Sequence, residues 1–188
     1  FPAFAATASA SLTGPSTIRA GDNITLTFSL NGSGIFGASG TITYDVKQLT
    51  LVNVKQLATS PWVVEFNDSN MVAYDNNLTN PINKNTSLFS LTFKVNNIAA
   101  GTKVSVSISN TKTTDGSADT NIGTVSYSAT VAAPLSTNNL LASLKVNNAT
   151  ITPAFSPETL NYTAEVPFEV SKLNVTATAA DSKAKVSI

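Results

Sequence analysis

The feature that most constrains this chain is a period of two. In TKVSVSISN, Val104, Val106 and Ile108 alternate with Ser105, Ser107 and Ser109. Successive side chains of a strand point to opposite faces, so such a stretch has one apolar and one hydroxyl face. The pattern recurs. NITLTFSL sets Ile24, Leu26, Phe28 and Leu30 against Thr25, Thr27 and Ser29. SLFSLTFKV lines up Phe89, Leu91, Phe93 and Val95, and GTVSYSATV lines up Val125, Tyr127, Ala129 and Val131. In GASGTITYDVKQLTLVNV two strands are joined by a short turn, with Ile42 and Tyr44 on one face and Ser39, Thr41 and Thr43 on the other. Polar, Gly- and Asn-rich segments separate these runs: AGDN, DNNLTNPINKN, NNIAAG and TTDGSADTNIG. There is no 3.6-residue apolar stripe of useful length. Many short strands between regular turn signals predict an all-β fold built as a β-sandwich. Phe28, Leu91, Phe93, Val106 and Val125 are its expected core.

The chain divides near AAPLSTNN. Pro134 cannot donate to a strand ladder, and the residues around it have linker composition. The expected organisation is a leader at 1–8, a large β-sandwich at 9–131, a linker at 132–137 and a second, truncated β-sandwich at 138–188. The second piece carries strand signals in LASLKVNN, ATITPAFSP, LNYTAEVP, LNVTATAA and AKVSI. It is too short for a self-sufficient β-domain without disulfide or metal, so its remaining strands are expected beyond Ile188. At the other end, FPAFAATASA holds Ala-Phe-Ala at 3–5 and Ala8-Ser9-Ala10, each resembling the small-x-small end of a secretory signal. A secreted or cell-surface protein is expected.

Composition removes several kinds of chemistry. The 188 residues include neither Cys nor His, so disulfides, thiolate or imidazole metal sites and Ser-His triads have no residues to build them. Eleven basic and eleven acidic residues cancel, and no basic block offers a nucleic-acid footprint. No apolar run approaches the roughly 20 residues of a membrane-spanning helix. Charged residues make up 12% of the chain, and Ser, Thr and Asn supply its polarity.

Candidate chemistry is sparse. TDGSADTN places Asp115, Asp119 and Asn121 in one loop, but calcium wants six or more oxygens on a fixed scaffold and Asp-Gly is an ordinary hairpin turn. Glu65 and Asp75 lie in successive strands of one hairpin, yet a glycosidase pair needs a cleft that a convex sandwich face does not provide. Trp62 is the only tryptophan, and a sugar platform needs two or three aligned rings, so packing is its expected role. Tyr44, Tyr74 and Tyr127 sit in strand patterns and are expected to pack with their hydroxyls at the edge. Eight Asn-x-Ser/Thr sequons follow from Asn and Thr richness alone. No catalytic residue, metal ligand or cofactor is expected.

Residues 9–131 resemble a bacterial cohesin module. AGDNITLTFSL looks like the family's Gly-Asp-x-Val-Thr-Val opening, and GIFGASGTITYDVKQLTLVNV like its Gly-rich lead-in, strand and Tyr-Asp turn. SLFSLTFKVNNIAAGTKVSVSISN and TDGSADTNIGTVSYSATV resemble its central and closing strands. Residues 138–188 resemble the N-terminal half of a bacterial cadherin-like β-sandwich repeat. The residues that carry this are LASLKVNNATITPAFSPETLNYTAEVP followed by LNVTATAADSKAKVSI, and such repeats usually act as surface spacers.

The resemblance implies a jelly-roll sandwich with one sheet face that binds a dockerin, a small calcium-loaded helical module. Here that face is expected to carry Ser39, Thr41 and Thr43, with Glu65, Asn67, Asp75, Ser105 and Ser107 beside them. Cellulosomal cohesins often have Asn and Asp where this chain has Gly37 and Ser39, which removes hydrogen-bonding groups from the face. The implied function is a non-catalytic exported module that recognises a dockerin-type protein. A carbohydrate-binding module of similar fold, with a polysaccharide partner, and a structural stalk or adhesin segment are the alternatives. Aligned aromatics on the face distinguish the first alternative, and a uniform Ser/Thr surface the second.

Overall fold

The computed structural model describes residues 8–188 and consists of strands, turns and irregular segments. The chain divides into two compact units, Phe1–Pro134 and Leu135–Ile188. Ala-Phe-Ala at 3–5 lies outside the described residues. Ala8 and Ala10 pack against the core of the first unit, and Ser9 opens its first strand.

The first unit holds β1 (Ser9–Thr13), β2 (Asn23–Asn31), β3 (Gly37–Tyr44), β4 (Leu49–Gln56), β5 (Trp62–Asn67), β6 (Asn70–Asp75), β7 (Thr86–Val95), β8 (Lys103–Thr114) and β9 (Asp119–Thr130). They form two antiparallel sheets, one in the order β1-β2-β7-β4 and the other in the order β5-β6-β3-β8-β9. The inward faces are the apolar sets of the alternating runs. Ile24, Leu26, Phe28 and Leu30 of β2 and Phe89, Leu91, Phe93 and Val95 of β7 are buried. Ile42 of β3 and Val104, Val106 and Ile108 of β8 are buried too. Phe28 stacks on Phe89 with ring centroids 4.9 Å apart, and Phe66 meets Phe89 edge-on at 5.2 Å. Pairs of this kind contribute about 0.5–1.5 kcal/mol beyond the area they bury.

Two expectations shift. Val125 is only partly buried, because β9 is an edge strand and covers the core from one side. Asp119 and Asn121 do not share a loop with Asp115. Both belong to β9, and the turn is Asp115–Ala118 alone. Asp115 Oδ1 accepts from the Ser117 and Ala118 amides and the Ser117 hydroxyl, which together hold its carboxyl below the usual carboxylate range.

The second unit contains two small antiparallel sheets. One pairs β10 (Leu141–Val146) with β13 (Val175–Ala179), the other β11 (Thr150–Thr152) with β12 (Thr163–Glu165). Residues 184–188, expected as a strand, are irregular, since no strand lies beside them to complete a ladder. The Pro-Ala-Phe-Ser-Pro segment is tied locally. The Tyr162 hydroxyl donates to the Ser156 carbonyl at 2.7 Å and accepts from its amide at 3.0 Å, and the Tyr162 ring stacks on Phe155. None of the described residues of this unit is fully buried, and Phe168 and Leu160 are open to solvent.

Candidate functional site

β3 lies in the middle of the five-stranded sheet, with β6 on one side and β8 on the other. Because Ala38 and Ile42 point into the sandwich, the odd-numbered residues of β3 form the outward face. The ladders extend that face in rows. Val63, Tyr74, Gly37, Thr114 and Asp119 lie side by side across the five strands. The next row is Glu65, Val72, Ser39, Lys112 and Asn121. Then come Asn67, Asn70, Thr41 and Ser109, followed by Thr43, Ser107 and Ser126, and by Ser105 and Ser128.

Seven of the sequence candidates, Ser39, Thr41, Thr43, Glu65, Asn67, Ser105 and Ser107, therefore share one face. Thr43, Glu65, Asn67 and Ser105 are exposed, while Ser39, Thr41 and Ser107 are half-buried between neighbours. The Thr41 hydroxyl donates to Asn70 Oδ1 at 2.9 Å, and Ser109 donates to the Thr41 carbonyl at 3.3 Å. These bonds order the hydroxyl rows.

Asp75 is not part of this face. It has the inward parity of Met71 and Ala73 and is 2% exposed. Its carboxylate accepts from the Asn77 amide through Oδ1, at 3.0 Å, and from the Thr79 and Asn80 amides through Oδ2. Burial pushes its pKa up, but the backbone N–H groups of Asn80, Asn77, Thr79 and Leu78 outweigh that and hold it below the usual value. Asp75 organises the 76–80 turn instead of meeting a partner. Glu65 stands on the opposite face, so the two carboxylates do not form an acid–base couple.

The structure adds residues that strict alternation misses. Thr111 and Thr113 are buried although the period set by Ser105, Ser107 and Ser109 places them outside. A bulge after Ile108, with Asn110 at φ 51°, resets the parity and brings Lys112 and Thr114 outward. The Thr111 hydroxyl donates to the Ile108 carbonyl at 3.0 Å, which makes its burial tolerable. Gly37, Ser39, Val72, Tyr74, Lys112, Thr114 and Asp119 surround a shallow hollow of about 200 Å³. The Tyr74 hydroxyl donates to Glu65 Oε1 at 3.4 Å, at the long end of hydrogen-bond range. Burial, with the Glu65 charge and hydrogen bond adding to it, raises the Tyr74 pKa. Trp62 is buried, and its Nε1 donates to the Asn80 carbonyl at 2.9 Å, so its ring is committed to packing.

Comparison with known proteins agrees with this architecture. A cohesin module of a family 33 glycoside hydrolase from Clostridium perfringens superposes with a TM-score of 0.57 at 10% identity, over 66% of this chain and 96% of the other. A non-cellulosomal cohesin from Archaeoglobus fulgidus gives 0.51 at 13% identity, over 66% and 92%. The type I cohesin–dockerin complex from Clostridium thermocellum gives 0.50 at 15% identity, over 66% and 98%. No curated protein sequence matches the chain. The Cadherin-like beta sandwich domain family matches residues 141–188, and the Cohesin domain family matches residues 8–133. That second match spans well over half of the 188 residues, and the chain belongs to the cohesin family.

Proposed function

We propose that this chain is a non-catalytic, exported binding module that docks a dockerin-type protein on the outward face of the β5-β6-β3-β8-β9 sheet, with the second unit serving as a spacer. The observation that carries the reading is the registered set of uncharged rows around Thr41 and Thr43, continued by Ser39, on a cohesin fold. A flat face of short hydroxyls admits the close approach of a helix. The central position of β3 leaves no free backbone edge there for strand addition. The solved complex of a related cohesin with a dockerin supports the same class of partner. Burial of Trp62 disfavours a sugar platform. The secretory-like start of the chain and its disulfide-free, Ser/Thr-rich composition are compatible with a secreted or cell-surface setting.

Thr41 lies at the centre of the face, two strands from either edge of the sheet. Thr41→Arg adds bulk and charge there without touching the core. Titration of the full chain against a panel of calcium-loaded dockerin modules should find a binder that Thr41→Arg abolishes, with Tm nearly unchanged. A dockerin bound equally well by wild type and Thr41→Arg places the binding surface elsewhere.

A further inference from the structure

Resting on the reading of this face as a helix-docking surface, we propose that the hollow over Gly37 is its specificity pocket. It takes one branched aliphatic side chain from the partner's helix, and Lys112 receives an acidic residue from the same helix.

Gly37 is the floor. A Cβ built on it would lie 2.9 Å from Thr114 Cγ2, 3.4 Å from the Ala73 carbonyl oxygen and 3.8 Å from Tyr74 Cβ. At 2.9 Å from Thr114 a Cβ has no room, so any larger residue would push Thr114 aside and disturb the wall of the hollow. Val72 and Tyr74 wall one side, and Thr114 with the Lys112 stem walls the other. Val72 is 44% exposed although its neighbours in the same row are Glu65 and Ser39, so it is an apolar surface among polar ones. The hollow's volume of about 200 Å³ falls below the roughly 300–1,000 Å³ of small-molecule sites. It suits a single side chain.

The charges define the helix's path. Glu65 and Lys112 stand in one row, separated by Val72 and Ser39. Three inter-strand steps of about 4.8 Å put their backbones about 14 Å apart. A helix with its side chains is about 10–12 Å across, so one helix lies between these two long side chains. The flank at β5 is acidic and the flank at β8 is basic, with Asp119 one strand further out. A helix lying between them meets the basic flank with its own acidic residue, which fixes its direction. Tyr74, hydrogen-bonded to Glu65, keeps its ring as the wall of the pocket.

The test uses the full chain and a yeast-displayed library of a calcium-loaded, two-helix dockerin scaffold with the outward positions of one helix randomised. Selected binders should share Val, Ile or Leu at one fixed position and Asp or Glu at another. Gly37→Ala, which displaces the Thr114 wall, should weaken them at least tenfold. Val72→Asp, at an exposed position, should do the same and keeps the test valid if Gly37→Ala fails to fold. Binders lost with Thr41→Arg but indifferent to Val72→Asp, or lacking the aliphatic position, overturn the pocket and leave the docking face standing. A library without binders, or binders indifferent to Thr41→Arg, overturns the docking face itself.

Discussion

Asp75 and Asn80 are joined through the Asn80 backbone: its N–H donates to Asp75 Oδ2, while its carbonyl accepts the Trp62 indole. One buried carboxylate thus fixes the turn on which the only tryptophan is anchored. Its ionised form is the one that accepts these bonds, so its folded pKa lies below the unfolded value. The stabilisation is fully present above the unfolded carboxylate range and is lost as pH falls through the lower, folded pKa. Asp75→Asn should lower Tm at neutral pH and flatten the acid limb of the Tm–pH profile below about pH 4. An acid limb unchanged by the substitution would remove Asp75 from this role.

Phe93 is fully buried and meets the Tyr44 ring edge-on at 4.8 Å, linking the two sheets. Phe93→Ala should cost about 3–5 kcal/mol, because the rigid surroundings cannot close the void. Chemical denaturation measures this directly. An unchanged midpoint contradicts the core placement.

How much of this was readable in the sequence depends on where alternation persists. It persists through Asn23–Phe28 of β2, Leu91–Val95 of β7 and the first half of β8, and there the inward and outward sets follow from period two. Beside the register shift at Phe28 and Ser29 it lapses, and Ser29, Leu88 and Ser90 are buried as well. It fails at Asn110, where a bulge turns Thr111 and Thr113 in and Lys112 out. An Asn in a hydroxyl-rich run is compatible with the left-handed backbone but does not announce a bulge by itself. The face was therefore legible around Ser39, Thr41 and Thr43, while its Lys112 rim was not. Asp75 carried a usable signal: it shares parity with Met71 and Ala73 and precedes Asn-Asn-Leu-Thr-Asn, a turn with amides for a carboxylate to cap. Reading it as a face residue weighed its charge above its register.

Tyr127 supplies a separate check on the sandwich edge. Its ring is buried on β9, and its hydroxyl donates to the Pro15 carbonyl at 2.7 Å, closing the β1–β2 connection onto the other sheet. Burial raises its pKa. Tyr127→Phe keeps the ring and leaves the Pro15 carbonyl without this donor, so stability should fall by about 0.5–1.5 kcal/mol. A loss near the cost of a deleted core ring would show that the substitution disturbs packing as well.

Salt dependence separates this face from a charge-steered one. Its central rows, Thr41 with Asn67, Asn70 and Ser109 and Thr43 with Ser107 and Ser126, carry no ionisable group, while Glu65 and Lys112 in the Ser39 row and Asp119 in the Gly37 row stand toward one end of the face. Marginal charges keep much of their hydration and contribute about 0–1 kcal/mol per pair. Surface charges interact over a Debye length of about 10 Å at 0.1 M salt, so added salt removes what little steering they give. Binding of a dockerin should therefore weaken by less than about fivefold between about 0.05 M and 0.5 M NaCl, with the change mainly in the association rate. Lys112→Gln should remove most of that dependence while Val72→Asp does not, because only the first deletes a marginal charge that the partner meets. A fall of two orders of magnitude over the same range would mean that charged groups dominate the interface, and the neutral rows would not be its centre.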